Sequence, residues 1–133
     1  MCRDFGIEYT RGIDASQVAV TMARKMVPSS QFLVRNTDDA KELFQDNSYR
    51  TCVLIEVLEH IYKDLALIRM IPEGRLVVLT VPNFQTEGHV RWFSSKKQVV
   101  DRYSKVLKII KVVEEYAKET SNHWWIVKGE RKK

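Results

Sequence analysis

The 133-residue sequence has few cysteines, few glycines and no long apolar segment. Its two cysteines, Cys2 and Cys52, are too few for a disulfide framework or a zinc site, so we expect both thiols to be reduced. No apolar run approaches the roughly 20 residues that span a bilayer, and the N-terminal residues lack the apolar segment of a secretory signal. We therefore expect a cytoplasmic protein without a membrane partner.

The composition is that of a folded domain: 44% of the residues are hydrophobic and 29% are charged. Lysine and arginine outnumber aspartate and glutamate by 22 to 17, which gives a net charge of +5. This charge suits a domain that meets anions, nucleic acid among them, without identifying one. The length is sufficient for a hydrophobic core, and the chain has no repeat or linker, so we expect a single domain over residues 1–133.

Short apolar segments alternate with amphipathic ones, a pattern that predicts an α/β fold with a mainly parallel sheet. The sequence predicts strands over residues 9–14, 31–34, 51–55, 75–81, 106–116 and 122–128. It predicts helices over residues 15–26 and 40–44, around 61–71, and from Ser95 onward. The 51–55 and 75–81 segments are apolar on both faces, which is typical of strands covered on both sides. The last two strands, joined by a short polar link, predict an antiparallel hairpin, although a helical end near residues 114–118 is an alternative.

Ligands of an open α/β sheet bind outside the carboxyl ends of its strands, so the residues at those ends are the candidates for function. Asp14 ends the first predicted strand, where a carboxylate can accept both hydroxyls of a ribose; the alternative is a helix cap ahead of Ser16. Asn36 and Thr37 follow the second strand. The amide of Asn36 suits an adenine edge, and the alternative is an ordinary turn.

Two further strands are followed by titratable and aromatic side chains. Glu56, Glu59 and His60 follow the third strand and suit acid–base chemistry or a divalent metal. Alternatively, Glu56 and Glu59 cap or orient the loop, and His60 packs under the next helix. His89 and Trp92 lie in the loop after the fourth strand. This loop suits recognition of a flat or anionic substrate, or it is a lid that packs its rings on the domain.

Four segments, in this order, resemble those of class I S-adenosylmethionine-dependent methyltransferases: residues 12–16, 32–36, 55–61 and 71–83. The resemblance covers about residues 7–130. It implies a Rossmann-like sheet, S-adenosylmethionine as cofactor and methyl transfer to an acceptor that the sequence does not identify. It implies cofactor contacts from residues at the strand ends, namely Asp14, Ala15, Asn36, Thr37, Ile55 and Glu56. It also implies catalytic roles for Glu59, His60 and His89, and we assign no metal ligand on this interpretation.

The departure from the family is the glycine-rich loop that normally ends its first strand. That loop, usually Asp-x-Gly-x-Gly-x-Gly, lets the backbone approach the methionine part of the cofactor. The five glycines of this chain are too far apart to form it. We therefore expect an N-terminally truncated domain that lacks the central first strand, its loop and most of the first helix. We expect a rearranged sheet, a homodimer or a partner chain to fill the gap.

Two other functions fit the same residues. A chain without the glycine-rich loop suits a non-catalytic module that regulates or scaffolds a partner methyltransferase. A metal-dependent RNA 2′-O-methyltransferase is the second alternative. Glu56, Glu59, His60 and His89 resemble the Glu-x-x-Glu-His string and later His of the small-RNA 3′-end methyltransferases, but that string also occurs in metal-free relatives.

Overall fold

The computed structural model describes residues 10–46 and 48–133, which belong to two compact units. The first unit ends at Leu43, and the second runs from Phe44 to Lys133. Each unit contains its own sheet. The start of the first predicted strand, at Tyr9, and the thiol of Cys2 lie outside the described residues. The single domain expected over residues 1–133 stays a prediction.

The first unit is a strand–helix–strand arrangement. Strands β1 (Arg11–Asp14) and β2 (Gln31–Val34) are parallel, and helix α1 (Gln17–Met26) connects them. Ser16 caps the helix, because its hydroxyl oxygen accepts a hydrogen bond from the backbone N–H of Ala19 at 3.2 Å. A 3₁₀ turn (Thr37–Asp39) follows β2 and leads to the short helix α2 (Lys41–Gln45), in which the boundary between the units falls.

Three apolar residues of α1, spaced four positions apart, are exposed rather than buried. Val18, Met22 and Met26 are each more than half exposed, whereas Val20, on another face of the helix, is buried. The spacing therefore predicted the helix correctly, because it depends on local periodicity.

The second unit contains a four-stranded sheet in the order β3-β4-β6-β5. Its elements are β3 (Thr51–Leu54), α3 (Asp64–Met70), β4 (Leu76–Pro82), α4 (Lys96–Tyr103), β5 (Leu107–Tyr116) and β6 (His123–Arg131). β3 and β4 are parallel, while β6 is antiparallel to both β4 and β5, so β6 alone runs against the other three strands. This confirms a mainly parallel α/β sheet with a C-terminal antiparallel hairpin, and the 106–116 segment is a strand.

The core of the second unit is built on β4. Val77, Leu79 and Val81 are completely buried, and Trp125 of β6 is buried beside them in the sheet. The prediction that the 51–55 segment is buried on both faces is wrong. Thr51 and Val53, which share one face of β3, are exposed, with Val53 at 55%, whereas Leu54 on the other face is buried. β3 is hydrogen-bonded to β4 alone among the described strands.

The described residues contain six strands, and none of them is followed by a glycine-rich loop. In this part of the chain β1 pairs only with β2, and β3 pairs only with β4.

Cys52 on β3 is a free thiol, and burial raises its pKa to about 12. No helix of residues 10–46 and 48–133 is long and apolar enough to cross a membrane.

Candidate active site

The candidate site of the second unit lies at the carboxyl ends of β3 and β4. These strands are parallel, so the loops that follow them leave the same edge of the sheet. The first loop supplies Glu59 and His60, and the second supplies His89. The structure brings these three predicted catalytic residues together: one carboxylate oxygen and one nitrogen of each imidazole lie within 4.8 Å of one another.

The first loop begins with a strained residue. Glu56 has a φ of 53°, a left-handed conformation that is uncommon outside glycine and that clusters at functional sites. Thr80 of β4 holds it there. The Thr80 hydroxyl oxygen accepts a hydrogen bond from the Glu56 N–H at 3.0 Å, and the hydroxyl donates to Oε1 of Glu56 at 3.4 Å. Sequence reasoning missed Thr80, although it is the one hydroxyl residue in the apolar run of β4.

Backbone contacts tie the two loops together. The N–H of Val90 donates to the carbonyl oxygen of Glu59 at 2.7 Å, and Nδ1 of His60 lies 3.0 Å from the carbonyl oxygen of Gly88. Gly88 has a φ of +83°, which a residue with a side chain rarely adopts. The glycine therefore lets the second loop turn and present its carbonyl to His60.

Arg91 fixes the first loop from the second. Its guanidinium donates to the carbonyl oxygens of Leu58, Ile61 and Tyr62. Nη1 of Arg91 also lies 3.4 Å from Oδ2 of Asp64, a buried carboxylate at the start of α3. Arg91 thus holds the 3₁₀ turn that contains Glu59 and His60.

The aromatic residues of the second loop divide between packing and exposure. Phe93 is buried, and its carbonyl oxygen accepts a hydrogen bond from Nε1 of Trp125 at 2.7 Å. Trp92 is 44% exposed. Of the two alternatives for this loop, packing on the domain describes Phe93 and Arg91, whereas the ring of Trp92 remains exposed.

Glu59 is the most unusual group of the cluster. Its relative exposure is 0%, and neither carboxylate oxygen accepts a hydrogen bond from another residue in the described part of the chain. Burial raises the pKa of Glu59 above its ordinary value, and the negative charge of Glu56 adds to the rise. Its own backbone N–H and the rings of His60 and His89 oppose the shift. An ionised carboxylate without a hydrogen-bond partner is energetically unfavourable in this buried position. Protonation of Glu59, or a positively charged group beside it, is therefore favoured.

The two imidazoles meet edge to face. Their ring centroids are 5.0 Å apart with an interplanar angle of 70°. His60 is exposed and His89 is half-buried, and the ring of His89 lies 5.9 Å from that of Phe84. Phe84 in turn packs edge-on against Trp124 of β6, with ring centroids 5.3 Å apart. Phe84 and Trp124 thus pack in series next to the ring of His89. Sequence reasoning did not connect these two aromatic residues with the site.

The predicted cofactor residues lie in both units. In the first unit, Asp14 is exposed at the end of β1, and its Oδ1 accepts a hydrogen bond from the Ser16 N–H at 2.7 Å. This contact matches the capping alternative and uses one carboxylate oxygen. Ala15 and Asn36 are also exposed, and Asn36 precedes the 3₁₀ turn without a side-chain capping bond, while Thr37 begins that turn.

In the second unit, the apolar side chain of Ile55 is 52% exposed directly after β3, and Glu56 is exposed beside it. The cofactor roles of all six residues stay predictions.

Neither a protein-family model nor a curated protein matches this sequence. Solved structures do match, and they show that the chain has the fold of class I S-adenosylmethionine-dependent methyltransferases.

Three of the matching structures illustrate the likeness. The N-methyltransferase NodS of Bradyrhizobium japonicum WM9, in complex with S-adenosylhomocysteine, is 13% identical, with a TM-score of 0.65 over 92% of this chain. The 1,6-didemethyltoxoflavin-N1-methyltransferase of Burkholderia thailandensis, also with bound S-adenosylhomocysteine, is 11% identical, with a TM-score of 0.69 over 92% of this chain. The [4+2]-cyclase SpnF is 12% identical, with a TM-score of 0.69 over 95% of this chain.

This chain spans 66% of the NodS chain, 61% of the Burkholderia chain and 67% of the SpnF chain. Identities this low establish the fold alone. The cyclase shows that one fold carries more than one chemistry, so function has to be argued from the site.

Proposed function

We propose that this chain binds S-adenosylmethionine and transfers its methyl group to an acceptor. The observation that carries the proposal is the convergence of Glu59, His60 and His89 at the carboxyl ends of parallel strands in a methyltransferase fold. Structures of the same fold hold S-adenosylhomocysteine, the product that the cofactor leaves after methyl transfer.

In the first unit, the proposed cofactor contacts come from the ends of β1 and β2. Asp14 accepts hydrogen bonds from the ribose hydroxyls, since a carboxylate has about four lone-pair sites and the Ser16 N–H uses one of them. Asn36 and Thr37 bind the adenine edge. Ala15 lies exposed beside Asp14 in this unit. In the second unit, Ile55 offers exposed apolar area directly after β3, next to the exposed Glu56.

In the reaction, a lone pair of the acceptor forms a bond to the methyl carbon while the bond from that carbon to the sulfonium sulfur breaks. The sulfur keeps the electron pair and leaves as S-adenosylhomocysteine. Positioning of the two reactants supplies much of the rate, and the proton of the acceptor passes to a base. Glu59, His60 and His89 are the groups proposed to meet the acceptor, with an imidazole as the base near neutral pH.

The test is calorimetric titration with S-adenosylhomocysteine of the wild-type chain and of an Asp14→Asn variant. The variant keeps an oxygen for the Ser16 N–H and loses the charge that binds the ribose. A hydrogen bond to a charged group contributes about 1.5–3 kcal/mol, so we expect affinity to fall at least about tenfold.

Asp101→Asn is the matched control, because Asp101 is an exposed aspartate of α4 that pairs with Lys97. It should bind as tightly as the wild type. Absence of binding by folded wild-type chain at millimolar ligand refutes the proposal and favours the non-catalytic module. Equal loss of affinity in both variants refutes the role of Asp14.

A further inference from the structure

We propose that the base of the β5–β6 hairpin binds the phosphates of a single-stranded nucleic acid. The base consists of residues 105–111 and 128–133, which lie at the end of the hairpin away from its connecting turn. These two segments contain seven lysines and arginines and one acid, Glu130, whereas residues 114–119, toward the turn, contain three glutamates and one lysine. Charge is therefore segregated along the hairpin, and its positive end is where a polyanion is favoured.

Two lysines of the hairpin base face each other directly. Lys111 of β5 lies opposite Lys128 of β6, and both side chains are exposed. Like charges directly opposite each other destabilise a sheet. The ion pairs among the described residues involve Arg91, Lys97 and Arg102, so neither lysine has a carboxylate partner in this part of the chain. A phosphate between the two ammonium groups removes their repulsion, and this pair is the observation that points to an anionic ligand.

A β-bulge brings a third lysine to the same face of the sheet. The register between β5 and β6 shifts between Ile109 and Lys111. Lys128 and Glu130 are two residues apart on β6, so they share one face. Their partners on β5, Lys111 and Lys108, therefore share that face too, whereas side chains three positions apart on a regular strand point to opposite faces. We call Lys108, Lys111 and Lys128 the basic strip.

The basic strip is open to solvent. Its three lysines are exposed, whereas Val127, which precedes Lys128 on β6 and points to the other face, is completely buried. Three residues of a strand rise about 10 Å, which is the length of about three phosphates of one nucleic acid strand at roughly 3.4 Å each. Glu130 shares this face opposite Lys108, so the strongest positive pair is that of Lys111 and Lys128.

A concave surface continues the strip. A cavity of about 530 Å³ is lined by Lys108, Glu130, Glu73, Gly74 and residues 131–133. The side chain of Arg131 donates to the carbonyl oxygen of Ile68 at 3.2 Å, and that of Lys132 donates to the carbonyl oxygen of Ser104 at 2.5 Å, so both cations are held in place. The cavity gives a further phosphate of the strand a place beside Lys108.

The place of the hairpin in the sheet favours a single strand over a duplex. A free two-stranded β-ribbon can enter the major groove of DNA. Here β6 is hydrogen-bonded to β4 as well as to β5, so the hairpin is part of a wider sheet and cannot enter a groove in that way. A single strand can instead lie across an open sheet face. On the face of the basic strip, Val113 is 38% exposed and offers apolar contact to sugars and bases.

The experiment measures binding of the full chain to a fluorescein-labelled oligothymidylate of about 16 nucleotides by fluorescence anisotropy, without any cofactor. Each phosphate contact on a single strand contributes about −0.7 to the slope of log affinity against log salt concentration. Three contacts from the basic strip predict a slope of about −2. Affinity should therefore fall roughly 15–20-fold between about 50 and 200 mM salt.

The test variant combines Lys111→Gln with Lys128→Gln, and the matched control combines Lys96→Gln with Lys97→Gln on α4. Both variants remove two exposed lysines and so lose the same charge. The test variant keeps one lysine of the basic strip, so we expect a slope of about −0.7 and only a roughly threefold fall over the same salt range. The control should keep the slope of the wild type. Circular dichroism checks the fold of both variants.

Each outcome decides the proposal. Absence of binding at low salt, or the same loss of affinity in both double variants, overturns it. Tighter binding to duplex DNA of the same length also overturns it, as does binding to vesicles of phosphatidylserine and phosphatidylcholine without binding to the oligonucleotide. Because the titration contains no S-adenosylhomocysteine, its result is separate from the test of the proposed function.

Discussion

The sharpest stability prediction concerns Asp64, which is 1% exposed at the start of α3. Its carboxylate accepts two hydrogen bonds from the guanidinium of Arg102, at 2.8 and 2.6 Å, and one from the hydroxyl of Tyr103 at 3.2 Å. Arg91 adds an ion pair at 3.4 Å. The change to test is Asp64→Asn, which keeps the shape of the side chain and removes its charge.

The substitution lowers the stability of the folded chain because it leaves two guanidinium groups without their carboxylate partner. Two guanidinium groups that faced a carboxylate would face an amide, and the pKa of Arg102, raised chiefly by its hydrogen bond to Asp64, shows how closely the two are coupled. Removing one partner of a buried ion pair costs about 3–5 kcal/mol. At roughly 4–8 °C per kcal/mol for a domain of this size, we expect the midpoint of thermal unfolding to fall by at least about 12 °C.

Urea unfolding, followed by circular dichroism, measures the loss. The control is Asp101→Asn, which breaks an exposed pair between Asp101 and Lys97 that is four residues apart on α4. Such pairs contribute about 0.3–0.5 kcal/mol, so the control should unfold almost as the wild type does. If Asp64→Asn lies within about 1 kcal/mol of that control, Asp64 does not organise the unit as argued.

Two further predictions concern the site and the sheet edge. The pKa of Glu59 in the folded chain is raised above its ordinary value of 4.5. Protonated Glu59 therefore stabilises the folded chain fully below pH 4.5, and this stabilisation is lost as the pH rises through the folded-state pKa. In metal-free urea titrations, the advantage of Glu59→Gln over the wild type should therefore grow from about pH 4.5 to neutrality, and parallel curves would contradict this. Second, β3 pairs with β4 alone among the described strands, and we propose that a second copy of the chain adds a strand at its other edge, next to the exposed Val53. Native mass measurement should give a dimer that Val53→Lys weakens; a wild-type monomer at micromolar concentration refutes the pairing.

Local signals accounted for most of the elements. The starts of α1 and α4 were recognisable because Ser16 and Ser95 each cap a backbone N–H only three positions further along the chain. The β-branched run that became β5 was also recognisable, since its register with β6 follows from a short connection. The edge position of β3 was not recognisable, because an apolar segment has the same composition at an edge as at the centre of a sheet.

The site was recognisable only in part. Parallel strands predicted that Glu59, His60 and His89 would share one edge, and the structure confirms that they meet. Asp64 was not distinguishable from an ordinary residue at a helix start, since its partner Arg102 lies 38 positions further along the chain. The role of Arg91 was hidden for the same reason: its acceptors are backbone carbonyls, which no sequence pattern marks.

The buried Glu59 links the stability of the fold to the chemistry of the site. Its charge can be neutralised by a proton, by a protonated neighbouring imidazole or by a cation, and these choices differ in what they stabilise. A proton stabilises the folded chain only toward acid pH. At neutral pH the bare carboxylate is costly, so the cluster favours a positively charged or proton-donating group beside Glu59.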